Sequence, residues 1–351
     1  MPTPRSIAAR LLARAALAGA FWLSVAGAGT AGDAKVGIEA VPLTDARGRA
    51  IITEVWYPAA ETAVEIAFAA RPFLRPIQVA RGASYCCDNQ GSRPLVVISH
   101  GILGNRFSQG WLARALVTHG YLVATVTHPN TTGDDITPAG ILRLWDRAQD
   151  VSAALDQLLS HPTWSARIDA ARIGFVGHSF GGGTGAVLAG GVHDAEALFR
   201  FCKTPAAAKD SYCEPVAKAD QQSLDLSPTK ASYRDPRIRG FYIVASAPAQ
   251  GFTPETLRSV RMPFVVETAK LDEILDNALN SYVFAREIPG ATSVDREVGH
   301  FAYVPLCLSG AVPPQAASVC ADPSGVVREA VHSEVADGVV RFLGKHLQGR
   351  D

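Results

Sequence analysis

Apolar residues in this chain fall in short continuous runs that alternate with segments of helical period. "PLVVISHG" (94–101), "YLVATVTHP" (121–129), "RIGFVGH" (172–178), "IRGFYIVASAP" (238–248) and "PFVVETAK" (263–270) are runs of the first kind. Between them, "QGWLARALVTHG" (109–120) and "RAQDVSAALDQLLS" (147–160) repeat their apolar positions every three or four residues, and "GGTGAVLAGG" (182–191) reads as helical despite its glycines. The alternation predicts strand, helix, strand, helix. A run that is apolar at every position predicts a strand covered on both faces, so the fold class is α/β: a mostly parallel central sheet with helices on both faces. "KVGIEAVPL" and "RAIITEVWYP" flank "TDARG" and predict two leading strands joined by a turn. Near the end, "ILDNALNSYVFA" (274–285) predicts a helix, "ATSVDREVGHF" (291–301) a short strand, and "REAVHSEVADGVVRFLGKHL" (328–347) an amphipathic helix.

The alternation lapses between about 193 and 239, in a polar stretch rich in Lys, Asp, Ser and Pro that contains Cys202 and Cys213. Long excursions of this kind are covers or disordered loops. The two cysteines favour an ordered insertion, a small cap beside the site.

One strand end carries the chemistry. "VGHSFGGG" (176–183) places Ser179 among glycines directly after an apolar run and before the glycine-rich helix. Gly-x-Ser-x-Gly in that context is a nucleophile elbow, a tight strand-to-helix turn that exposes the hydroxyl. The backbone N–H of Phe180, at the helix N-terminus, is placed to donate to a developing oxyanion. The second donor is expected after an earlier strand, in "SHGILGN", where Ile102 is chosen and Leu103 is the alternative.

A serine hydroxyl needs a base, and the base needs an orienting acid. The chain order for this elbow is Ser, then Asp or Glu, then His. His300, His332 and His346 follow a plausible acid, but the last two lie on the C-terminal helix, where packing or exposure is expected. His300 ends a strand and is taken as the base. "FVVETAKLDEILD" offers Glu267, Asp272, Glu273 and Asp276. Glu267 falls inside the strand, and Glu273 and Asp276 are assigned to the following helix. Asp272 lies in the loop past the strand's carboxyl end, where catalytic side chains gather in open α/β sheets. Trp145, Asp146 and Arg147, just before a helix, read as a structural N-cap and a buried ring. Asp134 and Asp135 are expected to shape a loop at the mouth of the site.

Together, "SHGILGN", "VTHPNTTGDD", "LWDRAQDVSAALDQLL", "IDAARIGFVGHSFGGGT" and "VGHFAYVPLC" resemble bacterial α/β-hydrolases of the dienelactone-hydrolase-like group, and are similar to platelet-activating factor acetylhydrolases. The resemblance spans Val36 to Leu347. It implies an α/β-hydrolase fold and esterase activity, with Ser179, Asp272 and His300 as the triad and Ile102 and Phe180 as oxyanion donors. The elbow carries serine where true dienelactone hydrolases use cysteine.

Composition narrows the remaining classes. Lys plus Arg and Asp plus Glu are both 33, giving a formal net charge of zero and no electrostatic case for nucleic acid. "GGGTGA" formally fits a dinucleotide fingerprint, but the chain enters the cysteine-bearing stretch instead of a second strand ending in an acid. No His cluster points to a metal, and no cofactor is expected.

The first residues read as an export signal over 1–31, with 32–351 as a single domain. Arg5, Arg10 and Arg14 precede the apolar "AALAGAFWLSVAGA", no acid appears before Asp33, and cleavage is expected between Ala26 and Ala31. The apolar stretch falls short of the roughly 20 residues that span a bilayer, so no transmembrane anchor is expected. The first cysteine is Cys86, which argues against a lipoprotein. A periplasmic or extracellular location makes disulfides the natural state of the six cysteines, which allow 15 connectivities. Cys202 with Cys213 and Cys307 with Cys320 would close short loops, and adjacent Cys86 and Cys87 have each other as a strained option.

The leading reading is a secreted serine hydrolase acting on small or lipid-like carboxylic esters through an acyl-enzyme. A polyesterase is the runner-up, and a non-catalytic binding protein of the same fold the alternative outside enzymes.

Overall fold

A computed structural model describes residues 34–347 apart from Ala70 and Ala311, so the expected export signal lies outside the described residues. Strands β1 (Val36–Thr44), β2 (Ala50–Pro58), β3 (Ile66–Phe68), β4 (Ile77–Arg81), β5 (Arg93–Ser99), β6 (Leu122–Val126), β7 (Ile168–His178), β8 (Ile238–Val244), β9 (Phe264–Ala269) and β10 (Thr292–Arg296) share one sheet. Their spatial order is β3-β4-β1-β2-β6-β5-β7-β8-β9-β10. From β6 to β10 every pairing is parallel, while β2 is antiparallel to both β6 and β1.

The central strands β5 and β6 are buried along Leu95–Ser99 and Leu122–Val126 because helices cover both faces, while edge strand β10 is polar and mostly exposed. Leu95 and Val97 point to one side, toward helix α3 (Leu144–Ser160) and α4 (Phe180–Leu188), which follow α1 (Gly110–Thr118) and α2 (Pro138–Leu142). Val96 and Ile98 point to the other, where they meet Leu112 and Leu116 of α1. The C-terminal helix (Arg328–Leu347) joins that second layer through Val331, Val335, Val339 and Leu343, one apolar residue per turn. The alternation of faces along each strand is the pleat, and burial on both sides is what selects Val, Ile, Leu and Phe at most positions of the central strands.

The insertion is ordered. Asp194 caps helix α5 (Ala195–Phe201) by accepting the N–H groups of Glu196 and Ala197, and Cys202–Cys213 ties its end to α6 (Cys213–Ala217). Leu198, Phe199 and Val216 are buried in the same core as α3. Cys307–Cys320 and Cys86–Cys87 complete the pairing, and no free cysteine occurs among the described residues.

Four features depart from the sequence reading. Strands β3 and β4 were not expected, being short and separated by the proline-bearing "RPFLRP". Trp145, Asp146 and Arg147 lie inside the first turns of α3 rather than before it; Trp145 is the buried ring expected, but Asp146 pairs with Arg47 and Arg143 instead of capping. The helix expected over 274–285 begins only at Ser281 and runs to Glu287. Glu273 and Asp276 therefore sit in turns, because Asp272 and Asp210 take up the N–H groups of Ile274, Leu275 and Asp276 that a helix would need.

Besides His300, five histidines are buried: His100, His128, His178, His193 and His332. Burial pulls all of them down, His178 to about 3, His193 and His332 to about 4, and His100 and His128 well below the usual value. Between those values and about 6.5 the unfolded chain binds more protons than the folded one, so stability falls as pH falls through that window. Glu54, raised by burial, and Asp150 and Asp210, pushed up to about 6 by burial, work in the opposite direction but are three groups against five. The melting temperature should be nearly level from pH 8 to pH 7 and drop steeply between pH 6.5 and pH 4. A melting temperature at pH 4 equal to that at pH 7, by circular dichroism, would contradict this balance.

Candidate active site

The site forms where β7 turns into α4. Ser179 stands at the apex with φ 55° and ψ −119°, a conformation costly for any residue with a Cβ and held here by three backbone bonds. Its N–H donates to Val244 O at 3.0 Å, and its carbonyl accepts from Gly182 at 2.8 Å and Ala247 at 3.1 Å. Both flanking glycines are sterically required. A Cβ on Gly177 would lie 2.2 Å from the carbonyl oxygen of Gly181, and one on Gly181 would lie 2.1 Å from that of Ser99.

His300 opens a short turn after β10 and points its Nε2 at Ser179 Oγ, 3.0 Å away. Its Nδ1 meets Asp272 Oδ2 at 2.7 Å. The Asp272 side chain is fully buried, and its other oxygen accepts the N–H groups of Ile274 at 2.9 Å and Leu275 at 2.8 Å. A carboxylate fixed in this way can only accept from the ring, so Nδ1 carries the proton and Nε2 presents its lone pair to the serine. The structure thus brings together the three residues singled out in the sequence, and leaves the competing acids elsewhere. Glu267 is buried in β9 under Arg296, Tyr242 and Tyr303. Glu273 accepts the backbone N–H of His300 at 3.0 Å, and Asp276 pairs with Lys209.

The two expected N–H donors flank the serine. Phe180 begins α4, where the first N–H groups have no partner in the helix. Gly101 lies directly over the serine, since a Cβ there would be 2.9 Å from Ser179 Cβ. The Gly101 carbonyl accepts from His100 Nδ1 at 2.7 Å and from Gly104 N at 3.2 Å, which turns the N–H of the same peptide, that of Ile102, the other way. Leu103 is committed: its N–H donates to Thr131 O at 2.9 Å.

Sequence reasoning passed over His178, the residue before the serine. Gln109 Nε2 lies 3.4 Å from its Nδ1, and its Nε2 lies 3.2 Å from the carbonyl of His300. Burial keeps it neutral, so Gln109 donates to one nitrogen while the other donates to His300. Only its place inside the elbow motif could have drawn attention to it.

A cleft of about 430 Å³ opens over Ser179 and His300, with apolar walls from Phe73, Leu74, Leu103, Val304 and Val319. Val319 belongs to the loop closed by Cys307–Cys320. Asp135 ties the rim loop by accepting the N–H groups of Asn130 and Thr132, and Asp134 pairs with Arg71 at 3.0 Å, as a loop shaping the mouth requires. The insertion does not overhang this cleft. It packs behind the acid loop, where Asp210 accepts from Asp276 N at 3.0 Å and Asn280 Nδ2 at 2.9 Å.

Known proteins match this arrangement in part. Residues 80–202 match the PET hydrolase-like family. Over 104 residues the chain is 35% identical to Cutinase 2 of Thermobifida cellulosilytica, a span of 29% of this chain and 36% of that protein. Over 95 residues it is 35% identical to the bis(hydroxyethyl) terephthalate hydrolase of Streptomyces coelicolor, 27% of this chain and 28% of that one. The matched segment thus covers about a third of the length of these relatives. The ferulic acid esterase from Streptomyces cinnamoneus superposes with a TM-score of 0.56 over 90% of this chain and 91% of its own, at 20% identity, which is a likeness of fold. By its mostly parallel sheet, its strand-to-helix serine turn and this likeness of fold over nine-tenths of both chains, the chain has the α/β-hydrolase fold.

Proposed function

We propose that this protein is an exported serine esterase, in which Ser179, His300 and Asp272 carry out acyl transfer from carboxylic esters to water. The observation that supports this most directly is the unbroken chain from Ser179 Oγ through both nitrogens of His300 to a buried Asp272. Ser179 Oγ attacks the ester carbonyl carbon as its proton passes to His300 Nε2. Negative charge gathers on the carbonyl oxygen, where the N–H groups of Ile102 and Phe180 receive it; one such donor is worth about 10²–10³ in rate. The carbon–oxygen bond then breaks, His300 returns the proton to the departing alcohol, and the acyl group remains on Ser179. Water, deprotonated by the same imidazole, releases the acid. No metal or cofactor enters this sequence.

The apolar walls of the cleft fit an ester with a hydrophobic acyl or alcohol part, small or lipid-like. A second reading, cleavage of ester bonds within a polymer, is favoured by the likeness of residues 80–202 to PET hydrolase-like proteins and by that of the cutinases. The export reading rests on the sequence before Asp33; no helix among the described residues is long and apolar enough to cross a membrane.

A chain-length series of p-nitrophenyl esters, run beside a polyester film, separates the two readings. Hydrolysis of the soluble esters with release from the film supports the polymer reading; hydrolysis without film release supports the small-ester reading. Ser179→Ala should bring both to background while the circular dichroism spectrum stays unchanged. Wild-type turnover in that variant would remove the assignment.

Asp272 is tested by neutral isosteres. Asp272→Asn should lower kcat by about 10⁴-fold, because the ring loses the partner that fixes its tautomer. Glu267→Gln should lower stability, since three donors converge on that buried carboxylate, yet leave kcat of the folded fraction within about tenfold. Asp276→Asn should change little. Full activity in Asp272→Asn with a severe loss in either neighbour would move the acid elsewhere.

A further inference from the structure

Arg147 is buried in the core, 1% exposed, and the reaction as derived makes no use of it. Its guanidinium reaches three separate segments. Nη2 donates to Ser99 Oγ at 3.1 Å and to the carbonyl of His100, at the end of β5. Nη1 donates to Thr131 Oγ1 at 2.6 Å, in the loop after β6. Nε donates to Thr184 Oγ1 at 3.0 Å, on α4. No carboxylate among the described residues lies within ion-pair distance; Asp150, one turn along α3, is engaged by His128 at 3.0 Å and Arg49 at 2.5 Å.

Each of these contacts leads to the oxyanion site. The His100 carbonyl immediately precedes the Gly101–Ile102 peptide. Thr131 supplies the carbonyl that takes the Leu103 N–H, so it anchors the other side of Ile102. The Thr184 hydroxyl donates on to the carbonyl of Phe180 at 3.1 Å, and the Phe180 ring centroid lies 5.5 Å from the guanidinium carbon. The two candidate donors belong to different segments, 78 positions apart in the chain (Ile102 and Phe180), and one planar group is bonded to the supports of both.

We propose that Arg147 is a positioning residue that holds the Ile102 and Phe180 N–H groups at a common point above Ser179. This rests on the esterase reading. The role needs a fork of donors in one plane, which an ammonium cannot reproduce. Donors aimed at charge that appears only in the transition state change kcat more than ground-state binding. A purely structural arginine would instead set how many molecules are folded, without altering what each folded molecule does.

The test compares wild type, Arg147→Lys and Thr184→Val, with active sites counted by end-point fluorophosphonate labelling. The expected result is kcat per labelled site about 10²-fold lower in Arg147→Lys and about tenfold lower in Thr184→Val, with KM within about threefold of wild type. Affinity for a trifluoromethyl ketone, which forms the tetrahedral oxyanion, should weaken in proportion to kcat/KM. If kcat per labelled site is unchanged while the labelled fraction or the melting temperature falls, Arg147 is structural only and the inference is overturned. Should Arg147→Lys not fold, Thr184→Val decides by the same criterion, since it leaves the guanidinium and its other contacts in place. A wild-type protein that neither labels nor hydrolyses esters would overturn the esterase reading itself, a result distinct from unchanged variants of an active enzyme.

Discussion

The site depends on how closely the turn after β7 approaches the end of β5. The carbonyl of Ser99 occupies the space that any side chain at residue 181 would need, and the carbonyl of Gly181 occupies that of residue 177. Only with glycine at both positions can the backbone fold tightly enough to hold Ser179 at a positive φ, its hydroxyl clear of the sheet. The same approach places Gly101 against the serine side chain and so brings the loop after β5 within reach of the helix N-terminus. The exposed serine and the approach of the two candidate N–H donors are therefore consequences of one steric constraint. The local strain is offset by the bonds from the turn to Val244 and Ala247, on the neighbouring strand and its extension.

Around that constraint several buried polar groups are paired in ways that hold His300. Glu267 is held by Arg296 and two tyrosines, one of which, Tyr303, lies in the turn that carries His300. Glu273 holds the backbone of His300, and His178 holds its carbonyl. His300 is thus held at its backbone N–H by Glu273, at its carbonyl by His178 and at its ring by Asp272. Such supports keep a catalytic ring within the narrow range of positions that proton transfer allows. The insertion contributes from further back, through Asp210, by shaping the turns that deliver Asp272.

Much of this was legible in the sequence because it depends on local or ordered features. Continuous apolar runs identify strands buried on both faces, and the glycines around Ser179 identify the elbow. The order of Ser179, Asp272 and His300 along the chain follows from which strand ends lie at one edge of a parallel sheet. What escaped depends on contacts between distant segments. Helix α3 absorbs Trp145 to Arg147 because Arg147 is drawn into the core by Ser99, Thr131 and Thr184, none near it in sequence. Residues 274–280 have helical composition, but Asp272 and Asp210 claim the N–H groups that would start the helix. The insertion could be recognised by its cysteines, yet nothing in its composition says that it packs behind the acid loop rather than over the cleft.

The central claim is that the elbow serine is a nucleophile activated by His300. It is tested most directly with diethyl p-nitrophenyl phosphate, which leaves a stable phosphoryl ester on an activated serine. The account predicts release of one equivalent of p-nitrophenol per folded chain, complete loss of esterase activity, and a single adduct mapped by mass spectrometry to Ser179. An adduct on any other residue, or unmodified Ser179 in a preparation that still hydrolyses esters, would contradict it.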